Sequence, residues 1–166
     1  DKLYILRERN ESKLRVASVT QTGGTLNALR DVWNYSTTSM IACGDYGTIL
    51  SYNGKLWTAQ VSDTDSHLNS IWAASATAAW AVGHNGTILK WDGATWTPQT
   101  SDTTEHLLAV WGTSASHVVA VGANGTILAY NGTSWSPQTS GKTQDLRGVW
   151  GTAANNIYAV GDEGTI

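Results

Sequence analysis

The chain repeats itself every 39 residues, and this period constrains its fold more than any other feature. Residues 107–145 overlay residues 68–106 without a gap, and 19 of 39 positions are identical. The phase extends beyond those two copies. Trp33, Trp72, Trp111 and Trp150 recur in step, as do Gly47, Gly86, Gly125 and Gly164. Trp57, Trp96 and Trp135 form a third series. A fixed period of about 20–50 residues marks one supersecondary unit stacked on copies of itself.

Within residues 68–106, four short runs stand out at 68–75, 79–83, 87–91 and 94–100. Each is too short for a helix and rich in β-branched or aromatic residues, so the unit reads as strands A, B, C and D. Asn53-Gly54, Asp92-Gly93 and Asn131-Gly132 lie between C and D. Such pairs tolerate positive φ at both central positions, which predicts a two-residue type I′ hairpin. Between B and C, a glycine on each side of a two-residue tip predicts another tight hairpin, as in Gly83-His84-Asn85-Gly86. Pro98 and Pro137 fall at one place in strand D. Proline cannot donate to a sheet ladder, so D is expected at an outer edge. An all-β propeller of four-stranded antiparallel blades satisfies all of these signals.

The ends divide the chain into a terminal hairpin (1–28), three full repeats (29–67, 68–106 and 107–145) and a partial repeat (146–166) of one domain. Residues 2–19 read as a C–D hairpin with Asn10-Glu11-Ser12 at its tip, and residues 146–161 supply A and B. Two closures remain open. The terminal pairs could share one sheet and close a ring of four blades. Alternatively, Gly164-Thr165-Ile166, which starts a strand C of its own, could belong to a larger ring of about six to eight blades. An incomplete ring would favour a homo-oligomer.

The unit pattern resembles the repeats of the Ycf48-like (photosystem II assembly factor-like) bacterial β-propeller family. Its carriers are Ala81-Val82-Gly83, Gly86-Thr87-Ile88-Leu89, Asp92-Gly93 and Trp96, with their counterparts one period away. The resemblance covers residues 29–166 and implies a propeller that acts as a scaffold. The family's Asp-Gly-Gly turn is reduced here to a single glycine, as at Asn53-Gly54, and the N-terminal hairpin does not match.

Composition narrows the function. Net charge is −3, which does not suit a general nucleic-acid binder. No apolar run reaches the length of a membrane span. Charged residues make up only 14%, and a single Cys allows no internal disulfide. These features, with abundant Thr, Ser, Asn and Gly, suggest an extracytoplasmic site. Asp1 in place of a start Met points to processing or trimming. Cys43 aligns with Val82, Val121 and Val160, so a small apolar core position is expected.

Catalysis is not expected. The arginines do not form the cluster of a sialidase-like site, and Asp63 and Asp65 sit in a polar turn. No Ser falls in a nucleophile elbow, and no cofactor motif is present. His67 and His106 lie one repeat apart, on neighbouring blades, so they are not expected to share a metal ion.

Two binding surfaces remain. One is the loop face: Asp45, Tyr46, His84, Asn85, Asp162 and Glu163 at the B–C tips, with Asp63, His67, Asp102 and His106 in the D–A loops. These positions vary between otherwise matching units, as functional loops on a rigid scaffold do. The other is an aromatic corner, Tyr52, Trp91 and Tyr130, each followed by Asn or Asp. A protein partner on the loop face is the first expectation. A glycan held weakly at each corner, gaining by multivalency, is the alternative.

Overall fold

Each full repeat folds into one antiparallel four-stranded sheet in the computed structural model, which describes residues 2–6, 15–19 and 23–166. The chain begins with the hairpin β1 (Lys2–Leu6) and β2 (Arg15–Val19). The first sheet holds β3 (Leu29–Ser36), β4 (Ser39–Gly44), β5 (Ile49–Tyr52) and β6 (Trp57–Gln60). The second holds β7 (Leu68–Ser75), β8 (Ala78–Gly83), β9 (Ile88–Trp91) and β10 (Trp96–Pro98). The third holds β11 (Leu107–Ser114), β12 (His117–Gly122), β13 (Ile127–Tyr130) and β14 (Trp135–Gln138). Two further strands, β15 (Leu146–Ala153) and β16 (Asn156–Gly161), form the last pair.

Strand order follows chain order in every sheet, so each is a meander with its proline-bearing or equivalent strand outermost. The first strands pack on one another in sequence, β3 on β7, β7 on β11 and β11 on β15. That is the blade arrangement expected from the period.

The core lies between sheets rather than within them. One cluster joins Ile41, Cys43 and Ile49 of the first sheet to Leu68, Ile71 and Ala81 of the second. The next joins Trp80, Val82 and Ile88 to Leu107, Val110 and Val118. Fully burying such side chains contributes on the order of 2–3 kcal/mol each. Cys43 is buried as its alignment with valines predicts, and burial pushes its thiol pKa well above the usual range.

Polar bonds also cross the first seams. The Trp33 indole donates to the Ala73 carbonyl at 3.0 Å. The Ser70 hydroxyl (2.7 Å) and the Ile71 amide (2.9 Å) both donate to Asp31 Oδ2. The Val110 amide in turn donates to Ser70 Oγ at 3.2 Å.

Two expectations need correction. The C–D connections are four-residue loops, because Tyr52 pairs directly with Trp57, Trp91 with Trp96 and Tyr130 with Trp135. Only the glycine has positive φ there (91° at Gly54), while Asn53 Oδ1 accepts the amides of Lys55 and Leu56. The side chain thus closes the turn that a type I′ backbone would have closed. Strand D is also shorter than its alternating pattern, spanning Trp96–Pro98 in the second sheet.

Of the two closures left open, the closed four-bladed ring is not formed. β1–β2 and β15–β16 form separate two-stranded sheets instead of the shared sheet of a four-bladed ring. Beyond β16 the backbone turns as it does in the other repeats: Gly161 N bonds Thr165 O, just as Gly44 N bonds Thr48 O. The turn that precedes the third strand of each full repeat is therefore present at the end of β16. The expected hairpin tip, residues 10–12, lies outside the described residues.

Candidate binding face

Every B–C tip is a short turn whose second residue is left-handed: Tyr46 (φ 52°), Asn85 (54°), Asn124 (53°) and Glu163 (55°). The glycine that follows is also left-handed, and a Cβ at Gly86 would lie 2.0 Å from the Thr103 carbonyl oxygen. The tip can press so closely on the next D–A loop only because that position is glycine.

Three hydrogen bonds fix the tips of the first two sheets, and two of the three recur at the third. The first tip residue donates its amide to the carbonyl that precedes its own sheet, as His84 N does to His67 O at 2.9 Å. The second donates to a side chain of the following D–A loop. Tyr46 N meets His67 Nδ1 at 3.3 Å, Asn85 N meets His106 Nδ1 at 3.1 Å, and Asn124 N meets Asp145 Oδ1 at 3.1 Å. The third donates to that loop's backbone, as Gly47 N does to Ser66 O and Gly86 N to Glu105 O, both at 2.9 Å. His67 therefore fastens the tip of its own sheet through its carbonyl and the tip of the preceding sheet through its ring.

The histidines that appeared separate in sequence form a continuous row here, because His84 stands between the other two. Ring centroids are 5.0 Å apart for His67 and His84, and 4.3 Å for His84 and His106, which are stacked. Burial lowers the pKa of His84, and the neighbouring His106 and His67 lower it further. Tyr46 covers the outer side of His67, with centroids 4.8 Å apart. Asp45 completes this end, with Arg30 Nε donating to its Oδ1 and His67 Nδ1 3.1 Å from the same oxygen. The Arg30 bond holds the Asp45 pKa below the usual carboxylate value.

The rings do not converge on a point. His106 Nδ1 is engaged by a backbone amide, which places the proton of the neutral ring on Nε2. Among the described residues no group of three or more His, Cys, Asp and Glu could hold a metal ion.

The far end of the face is acidic. Asn124 donates to Glu105 Oε2 at 2.8 Å, and Gln144 donates to Glu163 Oε2 at 3.0 Å, one repeat later. Arg147 binds Asp162, with Nη2 at 2.8 Å from Oδ2, and this hydrogen bond lowers the Asp162 pKa. Asp63 and Asp102 serve the turns themselves. Both have φ 54°, at the position where Gly24 and Gly141 stand in the other loops.

The aromatic corner lies at the opposite end of the sheets and is largely closed. Tyr52 and Tyr130 are buried against Trp57 and Trp135, with centroids 5.1 and 5.3 Å apart. The Tyr130 hydroxyl donates to Gly132 O at 2.8 Å and lies 2.9 Å from Lys90 Nζ. Trp91 is half-buried, bonds Ala76 O through its indole and lines a cleft with Tyr35, Gln60 and Trp96. Sugar stacking once per blade therefore finds no support in the ring faces. The structure gathers Asp45, Tyr46, His84 and Asn85 with His67 and His106, while Asp162 and Glu163 lie in the turn that follows the last pair of strands.

No protein-family model matches the chain, and no curated protein matches it. Solved structures do. "YCF48 bound to D1 peptide" superposes with a TM-score of 0.65 at 18% identity, covering 84% of this chain and 49% of that one. "YCF48 from Cyanidioschyzon merolae" superposes with a TM-score of 0.67 at 17% identity, covering 82% and 49%. A weaker likeness, TM-score 0.45 at 13% identity, is to the WD40 β-propeller domain of Doa1. This chain spans about half the length of the YCF48 chains it matches. It has the Ycf48-like β-propeller fold.

Proposed function

We propose that this chain is a non-catalytic propeller scaffold that binds a segment of another protein on its loop face. The observation that carries the reading is the row of tips. Tyr46, Asn85, Asn124 and Glu163 are exposed and present three kinds of side chain, and the backbone amides of the first three bond the following loop. A rigid array of unlike side chains binds without first losing loop entropy. The structure of YCF48 with a D1 peptide is consistent with peptide capture by a propeller of this fold. The buried polar residues among the described residues are Ser62, Ser70 and Thr165, none of which is a carboxylate. An extracytoplasmic location is proposed from composition alone.

Panning a random displayed-peptide library against the chain tests the reading. Selected peptides should lose about tenfold or more in affinity on the Tyr46→Ala, Asn85→Ala double variant, the loss typical of an interface anchor. They should be indifferent to Lys55→Ala at the opposite end of the sheets. Peptides that ignore the tip variant, or depend on Lys55, would overturn it.

A further inference from the structure

The seam between the first two sheets leaves open a space that the seam between the second and third fills with the chain's own lysine. We propose that this space is a second binding site, which takes the ammonium group of a lysine side chain from a partner protein.

The second seam shows what the fold can place there. Lys90 of β9 reaches the third sheet, its Nζ 5.1 Å from the Tyr130 ring centroid and 5.8 Å from that of Trp80. The same Nζ lies 2.9 Å from the Tyr130 hydroxyl, and the Trp80 and Tyr130 rings are 5.8 Å apart. One repeat earlier, the positions of Trp80, Lys90 and Tyr130 are held by Ile41, Ser51 and Trp91. The receiving ring is kept. The cation and the indole that cover it are exchanged for smaller side chains.

What remains is a cleft of about 130 Å³ lined by Ile41, Ser51 and Trp91 together with Tyr35, Gln60 and Trp96. A dry cavity of about 150 Å³ takes up benzene, so the butyl stem of a lysine fits. The lining suits its charge, because a cation is held more strongly over an indole than over a phenol. Gln60 donates through Nε2 to Ser51 Oγ at 3.0 Å, and its Oε1 remains as an acceptor, the part that the Tyr130 hydroxyl plays for Lys90. Gln60, Trp91 and Trp96 also line an adjoining groove of about 390 Å³, to which Asp63 adds a carboxylate. Among the described residues no Lys or Arg lines either space, so the charge of the site favours a cation arriving from outside.

None of the tip residues Tyr46, Asn85, Asn124 and Glu163 lines the cleft or the groove. Cation binding here and peptide capture at the tips therefore succeed or fail independently.

Titration of the whole chain with n-butylammonium, which is the lysine side chain alone, tests the site, with n-butanol as its uncharged counterpart. Heteronuclear NMR at the Trp91 indole N–H reads the result. The cation should give a saturable shift, and n-butanol should bind about tenfold more weakly or not at all. Ser51→Lys rebuilds the arrangement of the second seam and should abolish the response. Asp63→Asn, a residue type that tolerates the left-handed conformation at this position, should weaken it about threefold. The proposal is overturned by a wild type without a saturable shift or by an equal response to n-butanol. Binding that persists in Ser51→Lys, or that ignores Asp63→Asn, overturns it too.

Discussion

The second seam and the last flank place nearly the same side chains in opposite environments. Val82 and Val121 are buried, while Val160 is open. Trp72 and Trp111 are buried, while Trp150 is open. Local sequence scarcely differs, so the neighbouring sheet decides. A repeat of this kind has little core of its own, and its stability resides in the interfaces between units.

The sharpest way to break this comparison is to truncate equivalent residues on each side of it. Trp80→Ala should cost about 3–5 kcal/mol, and Tyr158→Ala within about 0.5 kcal/mol. Trp80 Nε1 has no hydrogen-bond partner among the described residues, so the loss is one of packing. Denaturant unfolding of both variants decides it, and equal costs would place the core inside the sheets.

Glycines give the next largest contrast. Gly86→Ala adds a Cβ to a left-handed residue and drives it into the Thr103 carbonyl, whereas Gly164→Ala meets open space. The first should cost about 2–3 kcal/mol and the second about 1 kcal/mol. Thermal melts of the pair separate conformational strain from contact with the next loop. If the two variants melt together, the loop contact contributes nothing.

A smaller difference separates the seams themselves. Asp31 and Ser70 each accept an amide across a seam, but the next position in the series is Ala109. Asp31→Ala should destabilise by about 1–3 kcal/mol, because two donors across the seam lose their partner. Conversely, Ala109→Ser offers the Val149 amide the bond that Val110 already has, and should stabilise by about 0.5–1.5 kcal/mol. Equilibrium unfolding that shows no gain from Ala109→Ser would mean that the third seam differs in geometry as well as chemistry.

The blade was legible in the sequence because a 39-residue period and its turn glycines report on backbone, and backbone repeats. The turn details were less so. Asn53 closes its loop through its side chain, a choice that Asn-Gly leaves open between two loop lengths. Closure at the ends was not legible either, because it depends on what lies beside β16 and not on the strands themselves. At the loop face, the spacing of His67 and His106 correctly placed them on neighbouring sheets. It could not show that His84, on the tip between them, stacks on one and touches the other. The 21-residue offset that joins Asn85 to His106 and Tyr46 to His67 was present in the sequence, but a tip reaching the following loop is a tertiary fact.

That histidine row sets apart the two ends of the loop face and yields the smallest predicted effect. His84 faces His67 and His106 directly, with Arg30 and Asp45 beyond them. Its pKa is lowered in the fold, chiefly by burial, so the folded chain holds it neutral where the unfolded chain would bind a proton. Stability is then full above the unfolded value of about 6.5 and falls as pH drops toward the folded value, by at most about 1.4 kcal/mol per pH unit. Below the folded value no further loss comes from this group. Asp45 works in the other range: its lowered pKa contributes stability above the ordinary carboxylate value, which disappears only in stronger acid. Melting temperature measured from pH 7.5 downward should therefore decline in the wild type and flatten in His84→Asn, while Asp162→Asn at the acidic end leaves that slope unchanged. A slope that persists in His84→Asn would overturn the assignment to His84.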